Sequence, residues 1–165
     1  MIFETERLLI RNLNLRDLNA FHEMESNPKV LQFADGEVKV IDEHIIELKE
    51  LISKYDNPDN DFWIYAIERK SDQLFIGTVA FVKDKNDDEI GYRFLEKYWN
   101  LGFGSEVCKG IILYCKKIRM KKIIGYVVDE NIASAKILEK YNFKIVDQFL
   151  NDENQQETKY ELEIS

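Results

Sequence analysis

Apolar residues recur along this chain with two spacings, and the change from one to the other predicts its elements. Arg7-Leu8-Leu9-Ile10-Arg11 is an apolar run between charges and predicts a first strand. Leu18, Phe21 and Met24 recur at helical spacing, predicting a helix that begins around Asn14–Leu18 and ends near Asn27-Pro28. After a turn at Asp35-Gly36, Ile41, Ile45, Leu48 and Ile52 form one stripe. With Asp42 as N-cap or first-turn residue they predict a helix from about Asp42 to Tyr55, broken by Asp56-Asn57-Pro58-Asp59-Asn60. The spacing then shortens. Phe62–Ile67 and Phe75–Val82 are aromatic and β-branched and are joined by Lys70-Ser71-Asp72-Gln73, which predicts an antiparallel hairpin.

A polar turn at Lys83–Asp88 leads to a strand at Glu89–Phe94 and a helix from about Ser105 to Ile118. Val107, Ile111, Tyr114 and Ile118 share one face of that helix, and Cys108, Ile112 and Cys115 widen it, so the helix is largely buried. Lys122–Val128 is the next strand, and Asn131–Tyr141 is a helix with Ala135 and Leu138 facing inward. Phe143–Leu150 and Thr158–Ile164 are two last strands around a polar loop at Asn151–Glu157. The order βααβββαβαββ, with about seven strands and about four helices, predicts an α+β or mixed α/β domain around a mostly antiparallel sheet. With no repeat, linker or low-complexity tract, residues 1–165 read as one domain.

Charge narrows the function classes. The formal net charge of −8 argues against a nucleic-acid binder, which needs a basic face. It suits solubility and is compatible with cationic substrates. No apolar run approaches a membrane span, and Met1–Arg7 lacks the basic start and apolar block of a secretory signal, so the cytoplasm is the expected location. Cys108 and Cys115 on one helix lie roughly 10 Å apart along its axis, beyond the ~7 Å Cα separation that a disulfide tolerates. Both read as small core residues. His22 and His44 stand alone, fit no zinc spacing, and read as surface or rim residues.

The candidate chemistry lies at Gly102-Phe103-Gly104-Ser105-Glu106, between a strand and a helix. Glycines there let the backbone approach a ligand, and the helix start leaves unpaired N–H donors and a partial positive charge. Such a site favours an anion, typically a phosphate. A Walker A loop would need a lysine after the glycine, where Ser105 stands; a Rossmann turn would need a third glycine, where Val107 stands. A plain strand–turn–helix with two turn glycines is the remaining reading of the turn by itself.

The run Ile90–Val107 resembles the acetyl-CoA-binding motif of the GNAT acetyltransferases, Q/R-x-x-G-x-G/A after the fourth strand. Val128–Phe143 resembles the family's fifth strand and following helix, with its N-x-x-S/A start and L-E-K-x-G-F end. Glu4-Thr5-Glu6-Arg7-Leu8-Leu9-Ile10-Arg11 is similar to the T-E-R-L-x-L-R opening of the RimJ/RimL-like branch. This resemblance implies a sheet splayed between strands four and five, with the pantetheine arm of acetyl-CoA lying in the gap. It implies Phe94 and Leu95 beside the arm, backbone N–H groups of Trp99, Asn100, Leu101, Gly102, Phe103, Gly104 and Ser105 around the pyrophosphate, and Asn131 on the pantetheine. Ser134 would lie near the thioester sulfur, and Lys136 or Lys140 near a phosphate unless they simply form a solvated helix face. Trp99 stands at the Q/R position. Asn100 and Asn142 replace glycines of the pattern, which asparagine's tolerance of left-handed backbone allows.

The implied activity is acetyl transfer to a primary amine: a protein N-terminus, or a small polyamine or aminoglycoside. An amine of pKa ~10.4 must lose a proton before it attacks. Many family members also use a helix tyrosine to protonate the leaving thiolate. Leu138 occupies its place here and Tyr141 lies three residues on. Ser134 is the substitute acid, and Glu89 on the fourth strand is the candidate base or else a strand-entry charge. A degenerate CoA-binding module is the alternative, and a nucleotide-binding domain a third reading. No metal is expected. Oligomeric state is open, with a homodimer one option.

Overall fold

The computed structural model describes residues 1–34 and 37–164; the turn at Asp35-Gly36 lies outside them. The strands are β1 (Phe3–Glu4), β2 (Leu8–Asn12), β3 (Phe62–Arg69), β4 (Leu74–Asp84), β5 (Asp87–Phe94), β6 (Lys122–Val128), β7 (Lys144–Leu150) and β8 (Gln156–Glu163). The α-helices are α1 (Leu18–Glu25), α2 (Pro28–Leu31), α3 (Ile41–Ser53), α4 (Phe103–Lys117) and α5 (Ile132–Lys140). The strands form one eight-stranded sheet in the order β1-β2-β3-β4-β5-β6-β8-β7.

Two elements go beyond the expected seven strands and four helices. Phe3–Glu4 pairs with Ile10 and Leu9 and adds an edge strand. Pro28, read as a break, instead starts α2: Asn27 caps it by accepting from the Lys29 N–H at 2.9 Å, and a proline at the first helical position gives up an N–H that had no partner anyway. The first helix also starts later than Asn14. Asn14 and Asp17 form a capping box around a 3₁₀ turn at Leu15–Asp17, and α1 follows from Leu18. Helix α4 begins two residues earlier than expected, at Phe103, because Gly102 in left-handed backbone (φ 83°) is its N-cap.

Strand register sorts side chains onto the two faces of the sheet. Within β5, alternate residues share a face. Arg93 meets Glu25 of α1 at 2.6 Å, so Glu89, Gly91 and Arg93 face the α1 layer. Phe94 stacks on Phe103 of α4, so Ile90, Tyr92 and Phe94 face the α4 layer. Strands β5 and β6 run parallel, and Glu89 with Ile124 is their register pair. Beyond that pair the strands diverge; these are the fourth and fifth strands of the sequence reading, renumbered because β1 precedes them. Tyr126 and Val128 follow Ile124 on the α1 face, while Gly125 faces Leu138 of α5.

The core fills both layers. Leu8, Ile10, Met24, Leu48, Ile67, Ile76, Val79, Val107, Ile111 and Ile123 have no solvent exposure. Cys108 and Cys115 are free, fully buried, and pushed by burial up to about 12, which keeps both thiols protonated and unreactive. The histidines depart from expectation. His44 is buried, and its Nδ1 lies 2.6 Å from Nδ1 of His22, so one ring donates to the other across the α1–α3 contact. Helical spacing places His44 next to the Ile41–Leu48 stripe, and only packing of α3 on α1 buries it.

Candidate active site

The divergence of β5 and β6 opens a cleft of about 650 Å³ through the sheet. It is lined from the α4 side by Phe94, Trp99, Asn100, Gly102, Phe103, Gly104, Ser105, Asn131, Ser134, Ile137 and Leu138. From the α1 side it is lined by Gly91, Arg93, Tyr126, Val128 and the α2 segment Lys29–Ala34. Leu95, Leu101 and Glu89 are not among the lining residues. Leu95 is in the core, and Leu101 turns its carbonyl to Arg7 at 3.0 Å. Glu89 sits at the closed end of the gap, opposite Val82 and Ile124.

The turn before α4 presents backbone rather than side chains. Asn100 (φ 61°) and Gly102 (φ 83°) are both left-handed. The first intrahelical bond runs from the Glu106 N–H to the Gly102 carbonyl at 3.1 Å. The N–H groups of Phe103, Gly104 and Ser105 therefore have no partner within the helix and open toward the cleft. The Trp99 N–H is engaged by the Glu96 carbonyl at 3.0 Å, and its indole N–H by the Phe94 carbonyl at 3.0 Å, so Trp99 braces the turn. At Gly104 a Cβ would lie 3.1 Å from Ile137 Cδ1 and 3.6 Å from Tyr92 Cε2, which explains the missing side chain.

A clamp that the sequence reading missed holds this turn. Arg7 donates to Glu106 at 2.7 Å and stacks over the Phe103 ring at 4.3 Å from its centroid. Thr5 Oγ1 and the Arg7 N–H donate to the other Glu106 oxygen at 2.5 and 2.9 Å. Burial alone would raise the pKa of Glu106; the bonds from Thr5 and Arg7 outweigh it and hold the carboxyl below its ordinary value. Thr5 and Arg7 belong to the Thr5-Glu6-Arg7-Leu8 opening, which was read only as a likeness. Its partner in the clamp, Glu106, is far away in sequence.

Helix α5 supplies the opposite lip. Asn131 caps it, its Oδ1 accepting from the Ser134 N–H at 3.3 Å. Lys140 reaches Ser105 Oγ at 2.9 Å, and Tyr141 Oη lies 3.0 Å from the same oxygen, placing a cation and two hydroxyls beside the α4 start. Leu138 is buried. Beneath the turn the Tyr92 hydroxyl is buried and has no hydrogen-bond partner among the described residues. Burial drives its pKa far above the ordinary 10. Across the gap, the Tyr126 hydroxyl donates to Asp84. Among the described residues, no group of three or more His, Cys, Asp or Glu could hold a metal, and no helix is long and apolar enough to cross a membrane.

These residues fit an extended cofactor that carries a phosphate. The gap between strands takes a thin arm, and one end carries unpaired helix donors with Lys140 beside them. The comparisons agree. Residues 7–144 match the model of the acetyltransferase (GNAT) domain. The uncharacterized N-acetyltransferase YnaD of Bacillus subtilis is 30% identical over 147 residues, covering 87% of this chain and 83% of that protein. Among solved structures, the ribosomal L7/L12 alpha-N-protein acetyltransferase RimL in complex with coenzyme A superposes with a TM-score of 0.83 at 16% identity, covering 97% of this chain and 96% of that one. Spermidine N-acetyltransferase from Vibrio cholerae, in complex with CoA and spermine, superposes at 0.77 and 19% identity, covering 95% of each chain. The chain belongs to the GNAT acetyltransferase family and is an acetyl-CoA-dependent N-acetyltransferase.

Proposed function

We propose that this protein transfers the acetyl group of acetyl-CoA directly to a primary amine, either a protein N-terminus or a small amine such as a polyamine or aminoglycoside. The observation that carries this reading is the cleft between β5 and β6, with helix donors at one end and lining residues from both faces of the sheet. Lining of both kinds suits two substrates that meet in the same gap. The likeness to RimL and to the spermidine enzyme supports amines as the acceptor class, and the Thr5–Arg11 segment supports the RimJ/RimL-like branch. The cytoplasm is the location that goes with this reading.

Bound there, the cofactor supplies an activated acetyl group as a thioester. The N–H groups of Phe103, Gly104 and Ser105 hold its pyrophosphate, with Lys140 adding charge. Phe94 flanks its arm, with Leu95 in the core beyond it, and Asn131 bonds it with the side-chain NH₂. Glu89, at the closed end of the gap, is the base for the proton that the acceptor ammonium must lose, receiving it by relay rather than in direct contact. Ser134 Oγ holds a proton at the start of α5 for the leaving thiolate, since Leu138 has none to give. Strand and turn N–H groups orient and polarise the reacting carbonyl.

The test is thiol release from acetyl-CoA across an amine panel, with calorimetric binding of CoA measured alongside. Amine-dependent release well above background is expected. CoA binding with no release by any amine would favour the second reading, a CoA-binding module, for which Leu138 at the usual tyrosine position is the supporting observation. Glu89→Ala and Ser134→Ala each lower turnover without loss of CoA binding if the catalytic assignment holds.

A further inference from the structure

The charge lining the cleft opposes the charge of the chain. The chain carries −8, yet among the described residues the charged ones lining the cleft are Lys29, Arg93 and Glu130. Other carboxylates on the same face of the sheet are engaged: Asp84 accepts from Tyr126, and Asp87 is paired with Lys159 at 2.8 Å and Lys122 at 3.0 Å. Lys29 is itself paired with Glu96 at 3.2 Å and Arg93 with Glu25, so each cation that an acceptor meets has a carboxylate beside it. Most of the acidic residues counted in the composition lie away from the described lining.

Arg93 stands on β5 two residues beyond Gly91, on the face away from α4. Its Nη1 donates to Glu25 Oε2 at 2.6 Å, and the two side chains are 27% and 15% exposed. Glu25 ends α1, and α2 follows along the rim, so Arg93 is held from the helical layer that covers the acceptor side. A guanidinium presents a planar fork of donors that matches a carboxylate or a carbonyl. Fixed by a half-buried partner, it has little entropy left to lose on binding. A polyamine has no oxygen to offer that fork, and its ammonium groups would meet a guanidinium of like charge.

We propose that Arg93, oriented by Glu25, is the residue that selects the acceptor, and that it binds an oxygen close to the reactive amine. The acceptor class is then an amine carrying a neighbouring carboxylate or amide carbonyl, as in a free amino acid or a peptide N-terminus, and not an oxygen-free polyamine. This rests on the acetyl-transfer reading.

The experiment compares three probes at saturating acetyl-CoA: alanine, tri-alanine amide and spermine. Wild-type protein should use one of the first two with kcat/KM at least about tenfold above spermine, and which one separates the carboxylate from the peptide carbonyl. Arg93→Gln should raise KM for that acceptor about tenfold or more, with a smaller change in kcat and CoA affinity within about twofold. Glu25→Gln should act in the same direction, more weakly. The double variant Glu25→Gln/Arg93→Gln leaves no unpaired charge, so it should keep wild-type CoA affinity and still lose the acceptor. Preference for spermine, an unchanged acceptor KM in Arg93→Gln, or an equal loss of CoA affinity overturns the proposal. Calorimetry of the same three probes against CoA-saturated protein reads acceptor binding without turnover. Arg93-dependent binding with no acetylation would remove the transfer reading and keep the recognition; binding of none of them overturns the recognition too.

Discussion

The α4–α5 wall of the cleft and the α1–α2 wall differ in what faces the ligand. On the first, two short stretches, Trp99–Ser105 and Asn131–Leu138, supply most of the lining, and the first of them presents backbone N–H groups at the start of α4. On the second, side chains from β5, β6 and α2 meet over the gap, and the residue that orients Arg93 comes from α1. Backbone donors at a helix start recognise a feature that every acetyl-CoA carries. Side chains gathered from separate elements can be exchanged one at a time without disturbing the turn. On the function proposed above, the constant substrate belongs to the first wall and the variable one to the second.

The sharpest break should come from the first wall. Gly102→Val forces a β-branched residue into left-handed backbone, at a cost of roughly 1–2 kcal/mol for a side chain there and more for valine. CoA affinity should fall on the order of a hundredfold. Calorimetry checks this, and retained affinity would detach the turn from the cofactor. Next is the clamp. Glu106→Gln removes the charge that anchors Arg7 and should weaken CoA about tenfold while leaving acceptor KM near wild type. Equal changes in both would mean that the two walls are coupled through the turn.

A smaller effect of opposite sign is expected at Tyr92. Its buried hydroxyl lacks a partner among the described residues, so Tyr92→Phe should stabilise the free protein. A gain of about 1 kcal/mol would raise the melting temperature by roughly 2–4 °C for a chain of this size. A lower melting temperature would mean that the hydroxyl is satisfied in solution.

The least effect concerns the second wall and pH. Burial holds His44 below its ordinary 6.5, with the charge of Glu47 opposing this and that of His22 adding to it. The unfolded chain therefore binds more protons below pH 6.5 than the native one. The stability tied to neutral His44 is complete above pH 6.5 and is lost as pH falls through its native value. Melting temperature should drop between pH 7.5 and pH 5.5 more steeply in wild type than in His44→Gln. Parallel slopes would remove the His22–His44 contact as a pH-sensitive joint between α1 and α3.

Legibility in the sequence follows the same division. The α4 turn could be read because glycine and asparagine at left-handed positions, followed by an amphipathic helix, are local signals. Asn142 (φ 67°) as a helix stop was legible for the same reason, whereas Asn131, expected on the pantetheine, proves also to cap α5. The β5 face pattern was legible too, since alternation alone separates Glu89 and Gly91 from Tyr92. The Thr5–Arg7–Glu106 clamp, the Glu25–Arg93 pair and the His22–His44 contact were not. Each joins residues from different elements, and nothing local marks one as the partner of the other. Pro28 misled because a proline that stops one helix can equally start the next, and the cap at Asn27 decides which.

By itself the sequence determined the kinds of element, the glycine turn before α4 and the family likeness, because each is written in spacing and backbone preference over a few residues. Tertiary structure alone decided where β5 and β6 part, how that gap becomes a cleft, and which charges face it. A net charge of −8 says nothing about the lining of a cavity, since most of those carboxylates lie outside it. Only packing α1 and α2 against the sheet brings Arg93 under the control of Glu25 and sets that pair at the edge of the cleft.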